Sequence, residues 1–450
     1  MDLINPITLQ WIIVITFGLG LLWLSPRART VDQFFKAATQ NRQPGMLLLT
    51  SSLVISWIFA KSITNAANLG MSYGLLGGLA YAGYYLSFLV CGLVLFNLRV
   101  KGKFQSIHQF LEQKFGRKAL VLFSVLIAIR LFNEVWSNTM VIGSYFGESG
   151  SWPYYGAVLA FTGLTLAYAI KGGLRSSLFT DAIQMVLFGV ILFVILAMLL
   201  PDIAGGVGYV TQSSSWDSEG GINLVWVVLI QVFSYPFHDP VMTDRAFITD
   251  PHTTRKSFIW ATVIGFICIL LFSLVGVYAQ NQGLQGDQAP VLVNRTLGVG
   301  MMLLMNTIMI TSASSTLDST FASFSKLAVV DWKNKITIAN GRLAMVVLTV
   351  LGTIPVFLGP TILSATTISG TMVIGLAPVF LFWKRKAPPL SFLLAVSCGL
   401  LFGVLLAGGW YPKGLVFFSG PYADLLSANI VGTILSLLLY FIPVIAMRNK

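Results

Sequence analysis

The chain has 450 residues, of which 56% are hydrophobic and only 10% are charged. This composition predicts an integral membrane protein made of helices, because lipid-embedded backbone must satisfy its own polar groups. Lys and Arg outnumber Asp and Glu by 28 to 16, and we attribute the net charge of +12 to basic loops at the membrane surface. A nucleic-acid partner is not expected.

We predict about thirteen membrane-spanning helices. The first apolar stretch has no basic residue before it, so it is expected to be a retained helix and not a secretory signal. The predicted spans are 7–25, 46–70, 74–98, 119–145, 153–170, 177–200, 222–243, 257–280, 297–325, 340–358, 361–383, 390–408 and 426–447.

Span 2 is too polar to be a continuous lipid-facing helix. Its polar side chains are Thr50, Ser51, Ser52, Ser56, Lys61, Ser62, Thr64, Asn65 and Asn68. Irregular backbone at membrane depth is tolerated only where it is buried in protein or lines a cavity. The pattern therefore predicts an interrupted helix that lines a functional site.

Span 4 carries two further charges inside the membrane, Arg130 and Glu134. They are four residues apart, a spacing that places them on one helical face, and we expect them to pair with each other.

Span 7 is also predicted to be interrupted, because Pro236 and Pro240 follow Ser234 closely. Proline removes a backbone donor and crowds the preceding turn. His238, Asp239 and Asp244 follow, and we expect them to form a solvated cluster where this span meets the cytoplasm.

The two interrupted spans are five apart, so they cross the membrane in opposite directions. Paired broken helices are typical of transporters with inverted repeats. We therefore predict four segments: 1–45 as a peripheral helix and loop, 46–200 and 201–386 as inverted repeats, and 387–450 as two peripheral helices.

Span 9 contains seven hydroxyls and one carboxylate between Thr311 and Thr320. Thr311, Ser312 and Ser315 share one helical face, and Asp318 follows one turn later. Such a ladder of oxygens suits a hard cation. Asp318 could guide a released ion inward or pair with a buried cation.

The loop charges predict the orientation. Assigning loops alternately places 24 of the 28 Lys and Arg on one side, which the positive-inside rule identifies as cytoplasmic. The N-terminus is then outside and the C-terminus cytoplasmic. The three cysteines all lie in spans, so neither a disulfide nor a transition-metal site is indicated.

Three stretches stand out: Gly172 to Gln184, the hydroxyl-rich span 9, and Asp244-Arg245. Together they resemble the sodium:solute symporter family, which usually has Gln-Arg at the third. The resemblance covers about residues 32–386. It implies the leucine-transporter fold, with two inverted five-helix repeats, sodium as coupling ion and no other cofactor.

The resemblance also implies ion ligands. The family's principal sodium site matches the hydroxyls of Thr311 and Ser312 and the main-chain carbonyls of Ile55, Ile58 and Ile308. The family usually has Ala at the position of Ile308, but a carbonyl ligand requires no particular side chain. A second sodium site, found in some members, matches Asp181, Ser314 and Ser315.

Substrate residues are less well matched. The positions that hold sugar in the galactose branch fall on Trp57, Ser62, Tyr81 and Tyr84, and the inner gate tyrosine matches Tyr235. No acid is present to grip sugar hydroxyls, so a sugar is not expected. Residues 56–60 are faintly similar to the urea and polyamine branch.

Lys61 fits no branch of the family, and three interpretations remain open. It could pair with Glu134, bind a carboxylate of the substrate, or occupy the cation position so that protons replace sodium in coupling.

These observations predict a sodium-coupled symporter of a small organic solute that works by alternating access. No phosphate loop, paired-His helix or nucleophile motif occurs, and an enzyme is not expected. The alternatives are a proton-coupled transporter that uses Lys61, or a ligand sensor that keeps the fold without transport.

Overall fold

The computed structural model describes residues 5–38, 43–286, 288–332, 335–358 and 369–448. Within these ranges every regular element is helical. The first eight α-helices are α1 (Pro6–Leu24), α2 (Val31–Lys36), α3 (Met46–Trp57), α4 (Ala60–Ala82), α5 (Leu86–Val100), α6 (Ile107–Gly143), α7 (Trp152–Gly172) and α8 (Leu174–Leu199).

The remaining ten α-helices among the described residues follow in chain order. They are α9 (Gly206–Gln212), α10 (Ile222–Gln231), α11 (Pro240–Arg245), α12 (Pro251–Asn281), α13 (Ala289–Leu297), α14 (Val299–Lys326), α15 (Ile338–Thr353), α16 (Leu376–Leu381), α17 (Pro389–Ala407) and α18 (Ala423–Arg448).

Ten helices in the described part of the chain are long and apolar enough to cross a membrane, so the predicted count of thirteen is not confirmed. The difference has identifiable causes. Helices α3 and α10 are apolar but too short to count alone, because both of the predicted interrupted spans are broken. Residues 361–368, which open predicted span 11, lie outside the described residues.

The break in span 2 occurs without a proline. Helix α3 ends at Trp57, Ile58 adopts the non-helical angles φ −78° and ψ 73°, and α4 begins at Ala60. Helix α4 then runs on toward α5 through a kink at Tyr73 and Gly74. Gly74 has φ +58°, a conformation that glycine adopts without steric cost, and this kink replaces the predicted loop between spans 2 and 3.

The break in span 7 follows the prolines. Helix α10 ends at Gln231, a 3-10 turn covers Tyr235–His238, and α11 begins at Pro240. Both prolines lie in the first turn of a helical segment, where a missing backbone donor leaves no hydrogen bond unmade.

The chain divides into two compact units. One comprises the described parts of Met1–Tyr81, Leu131–Ser214 and Ile267–Pro360, and the other comprises those of Ala82–Arg130, Ser215–Phe266 and Thr361–Lys450. In the first unit α14 is central, since it packs against α3, α7, α8, α13 and α15. In the second unit α17 packs against α18, which also contacts α10.

Helix α14 is buried on all sides over the hydroxyl-rich stretch, since every residue from 308 to 323 is buried. Its hydroxyls therefore contact protein and not lipid, as expected for polar groups in a membrane span.

Two glycines let α4 and the second half of α12 approach closely. A Cβ atom at Gly276 would lie 1.8 Å from the carbonyl oxygen of Ala67, and one at Gly70 would lie 2.2 Å from that of Ser273. These obstacles are backbone atoms, so they cannot rotate away.

We predict that Gly276→Ala lowers the free energy of unfolding by about 1–3 kcal/mol or more, because the added methyl overpacks this contact. Gly189→Ala in α8 is the control, since a Cβ atom there meets nothing within 4 Å. Thermal unfolding of the purified proteins measures both. Equal melting temperatures for Gly276→Ala and wild type would contradict the packing.

Candidate functional site

Helix α14 contacts the break between α3 and α4 through a hydroxyl. The Oγ of Ser312 donates a hydrogen bond to the main-chain carbonyl of Ile58, the non-helical residue that follows the end of α3. Thr316 lies one turn further on and donates to the carbonyl of Ser56 at 3.4 Å. The five residues predicted for the principal sodium site, Ile55, Ile58, Ile308, Thr311 and Ser312, are all fully buried.

This contact brings one hydroxyl and one main-chain carbonyl of the predicted principal sodium site together. The carbonyl of Ile58 lies beyond the regular ladder of α3 and accepts the Ser312 hydrogen bond. The neighbouring Thr311 hydroxyl donates to the Thr307 carbonyl of its own helix at 2.7 Å. The donor set consists of neutral oxygens, which suits sodium and disfavours metals that prefer nitrogen or sulfur. The residues present therefore fit sodium.

A second polar cluster surrounds Asp181 on α8. Its Oδ2 accepts a hydrogen bond from Ser52 of α3 at 2.5 Å, and its Oδ1 accepts one from Ser315 of α14. The carboxylate thus touches both α3 and α14. Asp181 and Ser315, two of the three residues predicted for the second sodium site, are in direct contact.

The third predicted residue, Ser314, lies against a different side chain of α8. Its Oγ accepts a hydrogen bond from Nε2 of Gln184 at 2.7 Å. Its main-chain carbonyl accepts one from the hydroxyl of Tyr168 at 3.0 Å. Gln184 is one turn from Asp181, so both side chains face α14.

Asp318 has hydroxyl partners and no basic partner among the described residues. Its carboxylate accepts hydrogen bonds from Ser177 at 2.8 Å, Thr180 at 2.9 Å and Ser319 at 3.2 Å. Ser177 also lies 3.5 Å from Asp181, so oxygens of the two carboxylates are at most about 6 Å apart. At an effective dielectric constant of about 20, two negative charges at that separation repel by about 3 kcal/mol.

Lys61 and Glu134 form a buried ion pair in the first unit. The Nζ of Lys61 lies 2.9 Å from the Oε2 of Glu134, and their side chains are 0% and 3% exposed. The ammonium also donates to Asn133 at 3.2 Å and to Ser137 at 3.1 Å, and it lies 5.1 Å from the ring centre of Phe59. This arrangement agrees with the first of the three interpretations of Lys61, in which it pairs with Glu134.

Arg130 binds the broken segment of span 7 in the second unit. Its guanidinium donates to the hydroxyl of Tyr235 at 2.8 Å and to the Oδ2 of Asp239 at 3.0 Å, and it lies 5.1 Å from the Tyr235 ring centre. Arg130 and Glu134 each form a buried ion pair with a residue of another segment, in addition to the pairing with each other that helical spacing predicts.

The cluster after this break is buried, which corrects the prediction that it is solvated. His238, Asp239 and Asp244 are 2%, 2% and 8% exposed. Asp239 also caps α11, accepting hydrogen bonds from the amides of Val241 at 2.9 Å and Met242 at 3.4 Å. One carboxylate therefore satisfies both the start of a helix and a buried guanidinium.

The predicted substrate residues fall into a group in each unit. In the first, Tyr81 donates to Ser62 at 3.1 Å, Asn65 donates to Tyr81 at 3.3 Å, and the Trp57 and Phe59 ring centres are 6.0 Å apart. In the second, the rings of Tyr84 and Tyr235 are 5.5 Å apart, and Tyr84 donates to Gln231 at 2.7 Å.

Several contact residues were missed at the level of sequence. They include Ser52, Tyr168, Ser177, Thr180, Gln184 and Asp239, all of which bind a predicted site residue. The four-residue spacing from Ser177 to Asp181 places both on one helical face, so the sequence does indicate that Ser177 lies near the Asp181 carboxylate. Nothing local to Tyr168 or Asp239 indicates the partner that folding supplies.

Comparison with solved structures identifies the class of fold. A sodium-coupled sialic acid symporter superposes with a TM-score of 0.70 at 16% identity, covering 96% of this chain and 98% of that one. MhsT in complex with L-phenylalanine gives a TM-score of 0.58 at 14% identity, covering 88% and 98%. These likenesses confirm an all-α, leucine-transporter-like membrane fold.

Sequence comparisons find similarity to the sodium:solute symporter family. Residues 38–220 match the sodium:solute symporter family. The sodium/myo-inositol cotransporter of Bos taurus is 25% identical over 201 residues, and the sodium/glucose cotransporter 2 of Rattus norvegicus is 27% identical over 135. These matches cover 44% and 28% of this chain but only 27% and 20% of the relatives' lengths. The predicted resemblance to the sodium:solute symporter family is confirmed.

We predict that Lys61→Met lowers the free energy of unfolding by about 3–5 kcal/mol, because it leaves the Glu134 carboxylate buried without its ammonium. Adding Glu134→Gln should recover part of that loss. Lys36→Met is the control, since the exposed Lys36–Asp32 pair contributes less than about 1 kcal/mol. A double-mutant cycle on thermal or denaturant unfolding measures the coupling. If the effects of Lys61→Met and Glu134→Gln on the free energy of unfolding simply add, the two side chains do not interact and the ion pair is contradicted.

Proposed function

We propose that this protein is a secondary active transporter that couples inward sodium movement to uptake of a small organic solute. The observation that carries the proposal is the hydrogen bond from Ser312 of α14 to the carbonyl of Ile58 at the break of span 2. Broken helices with freed carbonyls facing an oxygen-rich helix are the usual sodium sites of transporters with this fold. The likeness to a sodium-coupled symporter structure gives further support.

The proposed principal site consists of Ile55, Ile58, Ile308, Thr311 and Ser312. One sodium ion bound there would be coordinated by main-chain carbonyl oxygens and by the hydroxyl oxygens of α14. Ser312 already joins α14 to the break at Ile58, so sodium bound there would favour whichever conformation keeps the two in contact. A ligand shifts a conformational equilibrium only through its differential affinity for the two states.

We propose a second sodium site around Asp181, Ser314 and Ser315. Support comes from the direct contact of Asp181 with Ser315 and from the position of all three residues between α8 and α14. The sialic acid symporter that superposes on this chain likewise has a sodium site described as novel.

The candidate solute residues are Trp57, Ser62 and Tyr81 in the first unit and, separately, Tyr84 and Tyr235 in the second. These aromatic and hydroxyl groups suit a small polar molecule and offer no acid for sugar hydroxyls. A carboxylate-bearing solute would have to displace Glu134 from Lys61. The proton-coupled alternative requires the Lys61 ammonium to occupy the cation position. Because the ammonium is paired with Glu134 of α6, we favour sodium as the coupling ion.

The orientation and repeats remain part of the proposal. Basic loops support an outside N-terminus and a cytoplasmic C-terminus. Residues 46–200 and 201–386 would be the inverted repeats, with 1–45 and 387–450 at the periphery. The break after α3 lies near the start of the first proposed repeat in the sequence, and the break after α10 lies near the start of the second, which supports this division.

Uptake into proteoliposomes tests the function. With an inward sodium gradient and a panel of radiolabelled amino acids, carboxylates, ureas and amines, we expect accumulation of at least one solute above the potassium and choline controls. Binding without accumulation would favour the sensor alternative. Accumulation driven by a proton gradient alone would favour the proton-coupled alternative.

We predict that Ser312→Ala weakens sodium and solute binding together by roughly tenfold each, because one hydrogen-bonding partner of a charged ligand is worth about 1.5–3 kcal/mol. Thr307→Ala is the matched control, since its hydroxyl bonds to the Leu303 carbonyl of its own helix at 2.7 Å. The measurement is the affinity for the solute found by uptake, at several sodium concentrations. Loss of sodium affinity with unchanged solute affinity would contradict the coupling.

A further inference from the structure

The cluster between α8 and α14 holds more negative charge than the proposed second sodium site requires. Asp181 and Asp318 are both fully buried, and the hydroxyl of Ser177 lies within 3.5 Å of both carboxylates. Asp318 accepts hydrogen bonds from the hydroxyls of Ser177, Thr180 and Ser319. Hydroxyls stabilise the Asp318 carboxylate but do not neutralise it, and a buried charge without a counter-charge is costly.

Gln184 provides an independent indication of a ligand. Its side chain is fully buried, and its Nε2 donates to Ser314 on α14. Its Oε1 has no hydrogen-bond partner among the described residues. Because Gln184 follows Asp181 by three residues, its side chain lies on the face of α8 that carries the carboxylate. A buried acceptor left unmatched on the helix face that carries Asp181 points to a positively charged ligand.

We propose that Asp318 and Gln184 complete the second sodium site. Gln184 supplies a carbonyl oxygen beside Asp181, Ser314 and Ser315. Asp318 supplies a second negative charge within about 6 Å of the first, which raises the affinity for a cation in a site shielded from water. This inference rests on the proposed function, and it assigns to Asp318 a part in binding the ion.

Asp318 also extends the proposed second sodium site along α14. Asp318 lies three residues beyond Ser315 on α14, and the hydroxyl of Ser177 on α8 contacts the carboxylates of both Asp318 and Asp181. An ion at Asp181 is therefore adjacent to a second carboxylate one turn away, with a hydroxyl between them.

Equilibrium binding of radiolabelled sodium to purified wild type and variants tests the proposal. We expect wild type to bind two ions. Asp318→Asn should lower the affinity of one ion at least tenfold and leave the other within about threefold of wild type. Gln184→Leu, which preserves bulk and removes the amide oxygen, should weaken the same ion. Asp331→Asn, a buried carboxylate paired with Lys326 at 3.2 Å, is the control and should bind two ions normally.

The variants separate this inference from the function on which it rests. Ser312→Ala should weaken the ion that Asp318→Asn leaves intact. Wild-type affinity for two ions in both Asp318→Asn and Gln184→Leu would overturn the inference and leave the symporter proposal standing. A single ion in wild type, lost in Ser312→Ala, would do the same. No sodium binding to wild type would overturn both. If Asp318→Asn fails to fold, Gln184→Leu and Ser177→Ala decide the outcome.

Discussion

The break between α3 and α4 places non-helical backbone inside a segment that crosses the membrane, and α14 meets it there. A carbonyl released from its helix cannot turn to water in lipid, so another part of the protein must satisfy it. The hydroxyl of Ser312 does this for Ile58, and that of Thr316 does it for Ser56. The hydroxyls of α14, which would be a liability on a lipid-facing helix, follow from this constraint.

The same constraint accounts for the charged groups near both breaks. Lys61, one residue into α4, is neutralised by Glu134, and Asp239, at the start of α11, is neutralised by Arg130. Each pair would be costly if one member were removed, because the other would remain buried and charged. Breaks of this kind therefore persist only with partners on neighbouring helices.

Much of this was predictable because membrane physics acts locally on the sequence. Long apolar runs predict spans, prolines predict the break after α10, and the hydroxyls of span 9 predict a buried polar helix. Long-range partners are not predictable in the same way. Helical spacing matches Arg130 with Glu134 because they are neighbours on one helix, whereas Asp239, whose carboxylate accepts a hydrogen bond from Arg130, is 109 residues away. Kinked continuations, such as that at Gly74, likewise move span boundaries.

Thermal stability of the purified wild type in sodium, potassium and choline at equal ionic strength tests the central claim most directly. Sodium that bridges α3 and α14 binds the folded state alone, so it must raise the melting temperature in a saturable, concentration-dependent way. The account predicts such a rise in sodium and none in potassium or choline. Identical melting curves in all three salts, across concentrations from micromolar to hundreds of millimolar, would contradict it.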